Sequence, residues 1–298
     1  MKKHLWSVVF AVALTAFTVY IALDTFVISA VYNDSAGIAN TEMFAMQEKT
    51  ESIGADAVQT SDSYSDENIN ITLTEYERYG TKIYVADVTL SSAQYLKTAF
   101  ADNTYGKNIT AKTSSIAGAN SAILAVNGDY YGARERGYVI RNGVVYRSTA
   151  AGCDIMCIYA DGSMEIVSDG DYTAEQLVQK GVWQALSFGP GLIENGSVTV
   201  DQNDEVGRAK ASNPRTAIGI IDQNHYVFAV SDGRTSESEG LSLYELAQFM
   251  KSLGVKTAYN LDGGGSSTMY FNGRVVNNPT SGGKIKERGV SDIVYIGS

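Results

Sequence analysis

Apolar positions fall into three regimes along this chain: one unbroken run, one stretch without periodicity, and a long remainder of short alternating segments. The run covers residues 5–23, nineteen residues without a charge, preceded by Lys2 and Lys3. That length spans a bilayer as a helix, and flanking lysines place its N-terminus in the cytoplasm. A cleaved signal peptide has a shorter apolar core, about 7–15 residues, and ends at a small-x-small site. Here the apolar character resumes over residues 25–32, which favours an uncleaved signal anchor. Either way the remainder is exported, facing outside on a single-pass anchor, or secreted if the segment is cut. Residues 33–67 are rich in Ser, Asp, Glu, Ala and Thr, and read as an acidic disordered stalk. A folded domain is expected over residues 68–298.

Within that domain, residues 69–77 and 82–90 alternate around Arg78-Tyr79-Gly80-Thr81, the pattern of a β-hairpin. Ser91 to Gln94 offers a cap for a short helix carrying Tyr95, Leu96, Ala99 and Phe100. An apolar strand over 121–126 runs into Asn127-Gly128-Asp129. Three further hairpins turn at Asn142-Gly143, Asp161-Gly162 and Asn195-Gly196, dipeptides that supply the positive φ of type I′ turns. Thr173 and Gln176 suit the cap of a short helix. Asn213-Pro214 breaks the chain before a strand over 215–221, whose hairpin partner is 226–231. The clearest helix covers 242–253: Ser242 and Glu245 form a capping box, Leu243, Leu246, Ala247, Met250 and Leu253 make an apolar stripe, and Gly254 ends it. It lies between strands 226–231 and 256–261. Parallel pairing of those two would make a βαβ unit and put their C-terminal loops on one sheet edge, the usual place for a site. The fold class is therefore α+β: a mixed, largely antiparallel sheet with hairpins, a few packed helices and one βαβ unit, behind an N-terminal membrane helix.

Composition sharpens this picture at two points. Hydrophobic residues make up 44% of the chain, and 29 glycines against 3 prolines fit a turn-rich, β-rich globular fold. Of the net charge of −10, −7 falls on residues 33–67 and +1 on residues 1–32, leaving −4 for the domain. The acidity belongs mainly to the linker and does not exclude an anionic substrate. No basic patch suggests nucleic acid. Cys153 and Cys157 are four residues apart on a strand, about 13 Å, too far for a disulfide; they read as two buried thiols on one face. With only His4 and His225, a conventional zinc cluster is unavailable. Asp201 to Glu205 hints at calcium but lacks the glycine and glutamate of a binding loop. No cofactor is called for, although carboxylates among backbone carbonyls could hold calcium or magnesium.

The candidate chemistry centres on residues 260–270, Asn260-Leu261-Asp262-Gly263-Gly264-Gly265-Ser266-Ser267-Thr268-Met269-Tyr270. Three consecutive glycines cost much backbone entropy on ordering. They suggest bare N–H groups facing an anion, with Asp262 aimed at it. The same pattern of strand, carboxylate and glycine recurs at Asn127-Gly128-Asp129 and Asp232-Gly233-Arg234. Arginines recur nearby at Arg215, Arg234 and Arg288. Carboxylates suit work at a sugar carbon, whereas arginines and amides suit phosphate oxygens. Singly, Asp129 reads equally as a turn cap and Asp232-Gly233 as a hairpin turn. Arg215 and Glu287-Arg288 read more naturally as ordinary ion pairs. His225 sits at a hairpin tip, which counts against a Ser–His–Asp triad through Ser266 or Ser267. The glycines precede a strand pattern over 269–276 and no Lys-Ser/Thr, so they form neither a P-loop nor a dinucleotide fingerprint.

Six motifs in order carry a family resemblance: Val126-Asn127-Gly128-Asp129-Tyr130-Tyr131, the run from Asn213-Pro214-Arg215 to Gly219, Asp232-Gly233-Arg234, the run from Gly240 to Ala247, the run from Asn260 to Met269, and Glu287-Arg288-Gly289-Val290-Ser291-Asp292. Together they resemble the phosphodiester glycosidase domain of bacterial envelope proteins and of the mammalian lysosomal uncovering enzyme, over about residues 70–298. Tyr130-Tyr131 stand where that family often has phenylalanine, and Gly289 where it often has proline. The resemblance implies a hydrolase that cuts the glycosidic bond of a sugar-1-phosphodiester, with envelope glycopolymer or exopolysaccharide as the partner. Asp262, Asp129 and Asp232 are then the catalytic candidates, with the choice of nucleophile or base open between Asp129 and Asp262. Asn127, Arg215, Arg234, Gly263, Gly264, Gly265, Ser266, Ser267 and Arg288 are the substrate-binding candidates. Two alternatives stand beside it: a phosphodiesterase cutting the P–O bond, and a non-catalytic module binding anionic wall polymer.

Overall fold

The computed structural model describes residues 2–32, 57–205 and 212–297. Helix Lys2–Phe26 contains a stretch, Trp6–Phe26, of 21 residues with mean hydropathy 2.1, long and apolar enough to cross a membrane and buried nowhere by the rest of the chain. Most of the expected stalk, residues 33–56, lies outside the described residues. Its last part is not a linker: Val58–Gln59 and Ser63–Ser65 are strands, because Tyr64 and its neighbours pair with Ile69–Arg78 and extend its sheet. The folded domain thus begins about ten residues earlier than composition indicates.

The central layer is a nine-stranded antiparallel sheet. Its order is Ser197–Val198, Gly191–Glu194, Thr257–Asn260, Thr216–Asp222, His225–Ser231, Thr81–Leu90, Ile69–Arg78, Ser63–Ser65 and Val58–Gln59. Strand Thr81–Leu90 shows why it is covered on both sides. Ile83 and Val85 face one layer, while Tyr84, Ala86, Val88 and Leu90 face the other, as a period of two requires. The first face receives helix Leu243–Ser252 through Leu246, Ala247, Phe249 and Met250. The second face builds the main core, shared with two five-stranded sheets, through Val126, Phe271 and Val294 from one and Met156, Ile158 and Leu186 from the other. On the first face, truncating Leu246 to alanine costs roughly 2–5 kcal/mol.

Local signals fixed most elements. The hairpins at Asn142-Gly143, Asp161-Gly162 and Asn195-Gly196 all form, and Asn142 and Asn195 take positive φ. Helices Ala174–Gln179 and Leu243–Ser252 both carry complete capping boxes. Residues 269–276 form a hairpin, Met269–Phe271 with Arg274–Val275, in place of one strand, because Asn272 and Gly273 adopt positive φ. The helix expected after Ser92 is one 3-10 turn, Ala93–Tyr95; Leu96–Phe100 is a strand, held by pairing to Asp292–Ile296 and by the buried Thr98 hydroxyl donating to Gln184. Both cysteines are free; Cys157 is buried in the strand Asp154–Tyr159, and Cys153, just ahead of it, is half-buried.

The crossover through helix Leu243–Ser252 joins two strands that run in the same direction without pairing. Strand Thr216–Asp222 lies between them, antiparallel to both. His225–Ser231 and Thr257–Asn260 therefore still end on one edge, and the segment Pro214-Arg215 enters the sheet between their loops.

Candidate active site

The glycine loop starts where strand Thr257–Asn260 leaves the sheet. The N–H of Leu261 donates to the Thr216 carbonyl at 2.8 Å, and that of Asp262 to the Gly128 carbonyl at 3.3 Å. The buried Asn127 side chain locks this junction. Its Nδ2 donates to the Asp262 carbonyl at 2.6 Å, and its Oδ1 accepts from the Thr216 hydroxyl at 2.8 Å and the Thr268 N–H at 3.3 Å. Asn127 is thus a backbone clamp joining three strand ends.

Gly264–Ser266 form a single 3-10 turn. Gly264 donates its N–H to the Pro214 carbonyl at 2.8 Å, and the Gly263 amide serves the Asp262 carboxylate, so two of the three glycine amides face the protein. The glycines serve close approach instead. A Cβ on Gly263 would lie 2.9 Å from the Pro214 oxygen, one on Gly264 2.9 Å from Arg234 Nη2, and one on Gly265 3.2 Å from Ser281 Oγ and 3.5 Å from Arg288 Cδ. Gly264 also has φ +61°, a conformation costly for other residues. The absence of side chains lets the Arg234 guanidinium and the Arg288 stem settle over the loop.

Arg288 Nη2 lies 2.9 Å from Asp262 Oδ2 and also donates to Ser266 Oγ, which in turn donates to the same carboxylate oxygen. Asp262 is 13% exposed and Arg288 42% exposed, so this pair forms the accessible edge of the site. Burial pushes the Asp262 carboxyl up, while Arg288, Ser266 and the Gly263 amide pull it back. Arg234 adopts φ +62° and is exposed; Asn213 Oδ1 accepts from its Nε at 3.2 Å and Nη2 at 2.8 Å. Among the described residues no carboxylate pairs with it, so its charge is available to an anion. Ser267 Oγ is buried with no partner among the described residues, as are Thr268 Oγ1 and Asn260 Oδ1.

The other candidates are committed within the fold. Arg215 is buried, its Nη2 2.6 Å from Glu205 and its Nε donating to the Leu241 carbonyl at 2.8 Å. Its stem passes Gly263, but its charge is taken up by Glu205, which lines a cleft of about 460 Å³ with Asp154, Glu194 and Asp204. Asp232 accepts from the Asn278 N–H at 2.7 Å and side chain at 3.0 Å, and from Asn277 Nδ2 at 3.3 Å. Asn277 then reaches the Ser267 carbonyl at 3.0 Å, so Asp232 braces the glycine loop from behind.

Asp129 is 1% exposed. It meets Arg141 Nη2 at 2.9 Å and accepts from the N–H groups of Ser187 at 2.8 Å and Tyr131 at 3.2 Å. Arg141 also pairs with Asp292 through Nε at 3.0 Å and Nη2 at 2.8 Å, making a buried triad of two carboxylates and one cation. Burial pushes the Asp292 carboxyl up to about 7; Arg141 opposes this and Asp129 adds to it. Sequence reasoning passed over Arg141 and Asp292. A lone arginine after Val139-Ile140 in a strand was the available signal for one, and the final position of the last family motif for the other.

The family model for phosphodiester glycosidase matches residues 120–297, more than half of the chain. The chain belongs to the phosphodiester glycosidase family. Among its relatives, the SPbeta prophage-derived uncharacterized protein YomE of Bacillus subtilis (strain 168) is 30% identical over 190 residues, 61% of this chain and 29% of that protein. Human N-acetylglucosamine-1-phosphodiester alpha-N-acetylglucosaminidase is 34% identical over 130 residues, 40% of this chain and 24% of that enzyme. The matched stretches span less than a third of either relative. The zebrafish catalytic domain of that enzyme, solved auto-inhibited by its pro-peptide, shares the fold with a TM-score of 0.62 at 20% identity, over 82% of this chain and 87% of that one. Of the residues singled out in the sequence, Ser266 and Arg288 meet Asp262 directly, Asn127 and Asp232 brace its loop, and Asp129 and Arg215 are held elsewhere by Arg141 and Glu205.

Proposed function

We propose that this phosphodiester glycosidase hydrolyses the bond between the anomeric carbon of a sugar and the oxygen of a phosphodiester, outside the cytoplasm, in the cell envelope. The observation that carries this reading is the shared edge of the glycine loop. One accessible carboxylate, Asp262, stands beside Arg288, and the guanidinium of Arg234, with no carboxylate partner among the described residues, lies against Gly264. Two cations suit the phosphate and one carboxylate suits the carbon next to it.

The leaving group explains why one accessible carboxylate suffices. A phosphomonoester has a second pKa of about 6 and leaves with little help from an acid, unlike a sugar alkoxide. Arg234 and Arg288 stabilise the negative charge that builds on it as the bond breaks. Asp262, in its ionised form, takes the proton of the attacking water. Asp129, sealed by Arg141 and Ser187, acts as scaffold in this scheme, and so does Asp232. Ser267, whose buried hydroxyl has no partner among the described residues, packs behind the loop as part of this scaffold.

Hydrolysis of an N-acetylglucosamine-1-phosphodiester in ¹⁸O-labelled water tests the bond assignment. Label in the sugar hydroxyl supports it; label in the phosphate identifies a phosphodiesterase and removes it. An Asp262→Asn variant that binds the diester as tightly as wild type, alongside a wild type that turns nothing over, would identify a binding module.

A further inference from the structure

The chain leaves its apolar helix directly onto the domain. Asp24, still in helix Lys2–Phe26, pairs with Lys107 at 3.2 Å. The Asn108 amide donates to the carbonyls of Thr25 and Ile28 at 3.2 and 3.0 Å, and Ser29 Oγ donates to the Asn108 carbonyl at 3.1 Å. Ala30–Val31 then pairs antiparallel with Gly106–Lys107, where a Cβ on Gly106 would overlap the Ala30 carbonyl oxygen. The Tyr32 N–H donates to the Tyr105 carbonyl at 3.1 Å, with the two rings 5.2 Å apart. The four steps from Phe26 to Ala30 reach about 14 Å at most, whereas an extended 35-residue stalk would reach about 120 Å.

This clamp shares its backbone with the active site. The Asn108 N–H donates to the Gly132 carbonyl at 3.0 Å, and Gly132 is three residues beyond Asp129. Lys112 pairs with Gly289, and the Glu287 carboxylate accepts from the Ser114 N–H at 2.9 Å and its hydroxyl at 2.6 Å, which fixes the loop carrying Arg288. By chain length alone, Asp129 lies within about 15 Å and Arg288 within about 25 Å of the clamp. The surface of the clamp is apolar as well. Phe26, Val27, Ile28 and Val31 are exposed and continue the apolar surface of the helix onto the docked strand. A bilayer is the cover that suits both. The exposed Arg136 and the half-buried Arg134 flank Glu135, which lies 4.0 Å from Lys107 beside this face.

We propose that residues 24–32 hold the domain against the outer surface of the bilayer, and that its substrate is a sugar-1-phosphodiester whose phosphate is esterified to a lipid alcohol in that membrane. The inference rests on the glycosidase reading above. A mobile wall polymer can reach a site at any height and gains nothing from a clamp, whereas a lipid-linked sugar phosphate presents its scissile bond only at headgroup depth. In the reaction, water adds to the anomeric carbon and the bond to the phosphate oxygen breaks with its electron pair on that oxygen. Asp262 takes the water proton and returns it to solvent, leaving a free sugar and a lipid monophosphate.

The test uses the full chain in phosphatidylethanolamine–phosphatidylglycerol vesicles and two probes: the methyl diester of N-acetylglucosamine 1-phosphate in solution, and the same headgroup esterified to an isoprenoid alcohol in the vesicles. One variant inserts about twelve Gly/Ser residues after Phe26, adding roughly 19 Å of slack. A second combines Lys107→Glu with Asn108→Ala. In both, kcat/KM for the soluble probe is expected to stay within about twofold and that for the lipid probe to fall about tenfold or more, as effective concentration falls. Equal turnover of the lipid probe by clamped and loosened proteins overturns the proposal. So does a gain on the soluble probe, which would make the clamp a cover over the site. Wild type that cleaves the soluble probe and leaves the lipid probe intact overturns it while the glycosidase reading survives. If wild type cleaves neither, both fall.

Discussion

Asp292→Asn isolates one proton in the interior of this protein. Asp292 and Asp129 share Arg141, so full ionisation leaves one uncompensated negative charge where water is excluded. Burial raises the folded pKa of Asp292 to about 7, against about 3.9 in an unfolded chain. Below pH 4 both states carry the proton and ionisation costs the fold nothing. As pH rises toward 7 the unfolded chain releases the proton first, and stability is lost until the folded group also ionises. The loss is about 3 pKa units at 1.36 kcal/mol each, on the order of 4 kcal/mol. Asparagine keeps the shape and stays neutral, so the variant lacks this loss. The stability of Asp292→Asn relative to wild type is therefore expected to rise by about 3 kcal/mol between pH 5 and pH 8, the remainder of the loss falling below pH 5. Any fixed effect of the amide drops out of that difference. Urea unfolding of the full chain in mild detergent measures it through Trp183, whose indole donates to the Leu96 carbonyl at 2.7 Å inside the domain. A difference that stays constant from pH 5 to pH 8 would refute the reasoning, since Arg141 would then outweigh desolvation and hold both carboxylates ionised.

Three further outcomes follow from the site. The ionised form of Asp262 does the work, so kcat/KM is expected to fall as pH drops through its raised pKa; Arg288→Gln removes the largest opposing influence and shifts that acid limb to higher pH. Arg234→Gln deletes a charge with no carboxylate partner among the described residues, so KM for a phosphodiester should rise about tenfold to a hundredfold, the worth of a charge-assisted contact. Its unfolding midpoint should barely move, and a large drop would show a structural arginine. Gly264→Ala combines a cost of about 1 kcal/mol for positive φ with a methyl group 2.9 Å from Arg234 Nη2. Gly196→Ala, at φ +74° with nothing nearby, should share the stability cost and keep full activity; equal activity in both would show that Arg234 can shift freely.

The parts of this fold that sequence revealed are those set by short-range chemistry. Asn142-Gly143 and Asn195-Gly196 dictate turns, and Ser242 with Glu245 dictates a helix start, whatever surrounds them. The glycine run announced a special loop, although its amides serve Pro214 and Asp262 and its bare Cα atoms receive arginines. What stayed hidden depends on partners far along the chain. Leu96–Phe100 is a strand because Asp292–Ile296 lies beside it, nearly two hundred residues later. Arg215 and Arg234 look alike in sequence; Glu205 reaches one and no described carboxylate reaches the other. The docking of Ala30–Val31 on Gly106–Lys107 is likewise beyond any local pattern, since two residues of strand carry no periodicity.

The strand Thr216–Asp222 turns the sheet into a spacer. Had the two strands joined by helix Leu243–Ser252 paired directly, their loops would stand about 4.8 Å apart, closed against each other. With one strand between them the gap at the edge doubles to about 9.6 Å. Pro214 forms the floor of that slot: Gly263 packs on its carbonyl oxygen from one wall, and Gly233 packs on its ring from the other. Having no N–H, this floor cannot donate a backbone hydrogen bond to either wall; its carbonyl accepts one from the Gly264 N–H at 2.8 Å. The spacing of the two walls is therefore fixed by strand geometry, and the Arg234 side chain crosses it to lie against Gly264, two residues from Asp262.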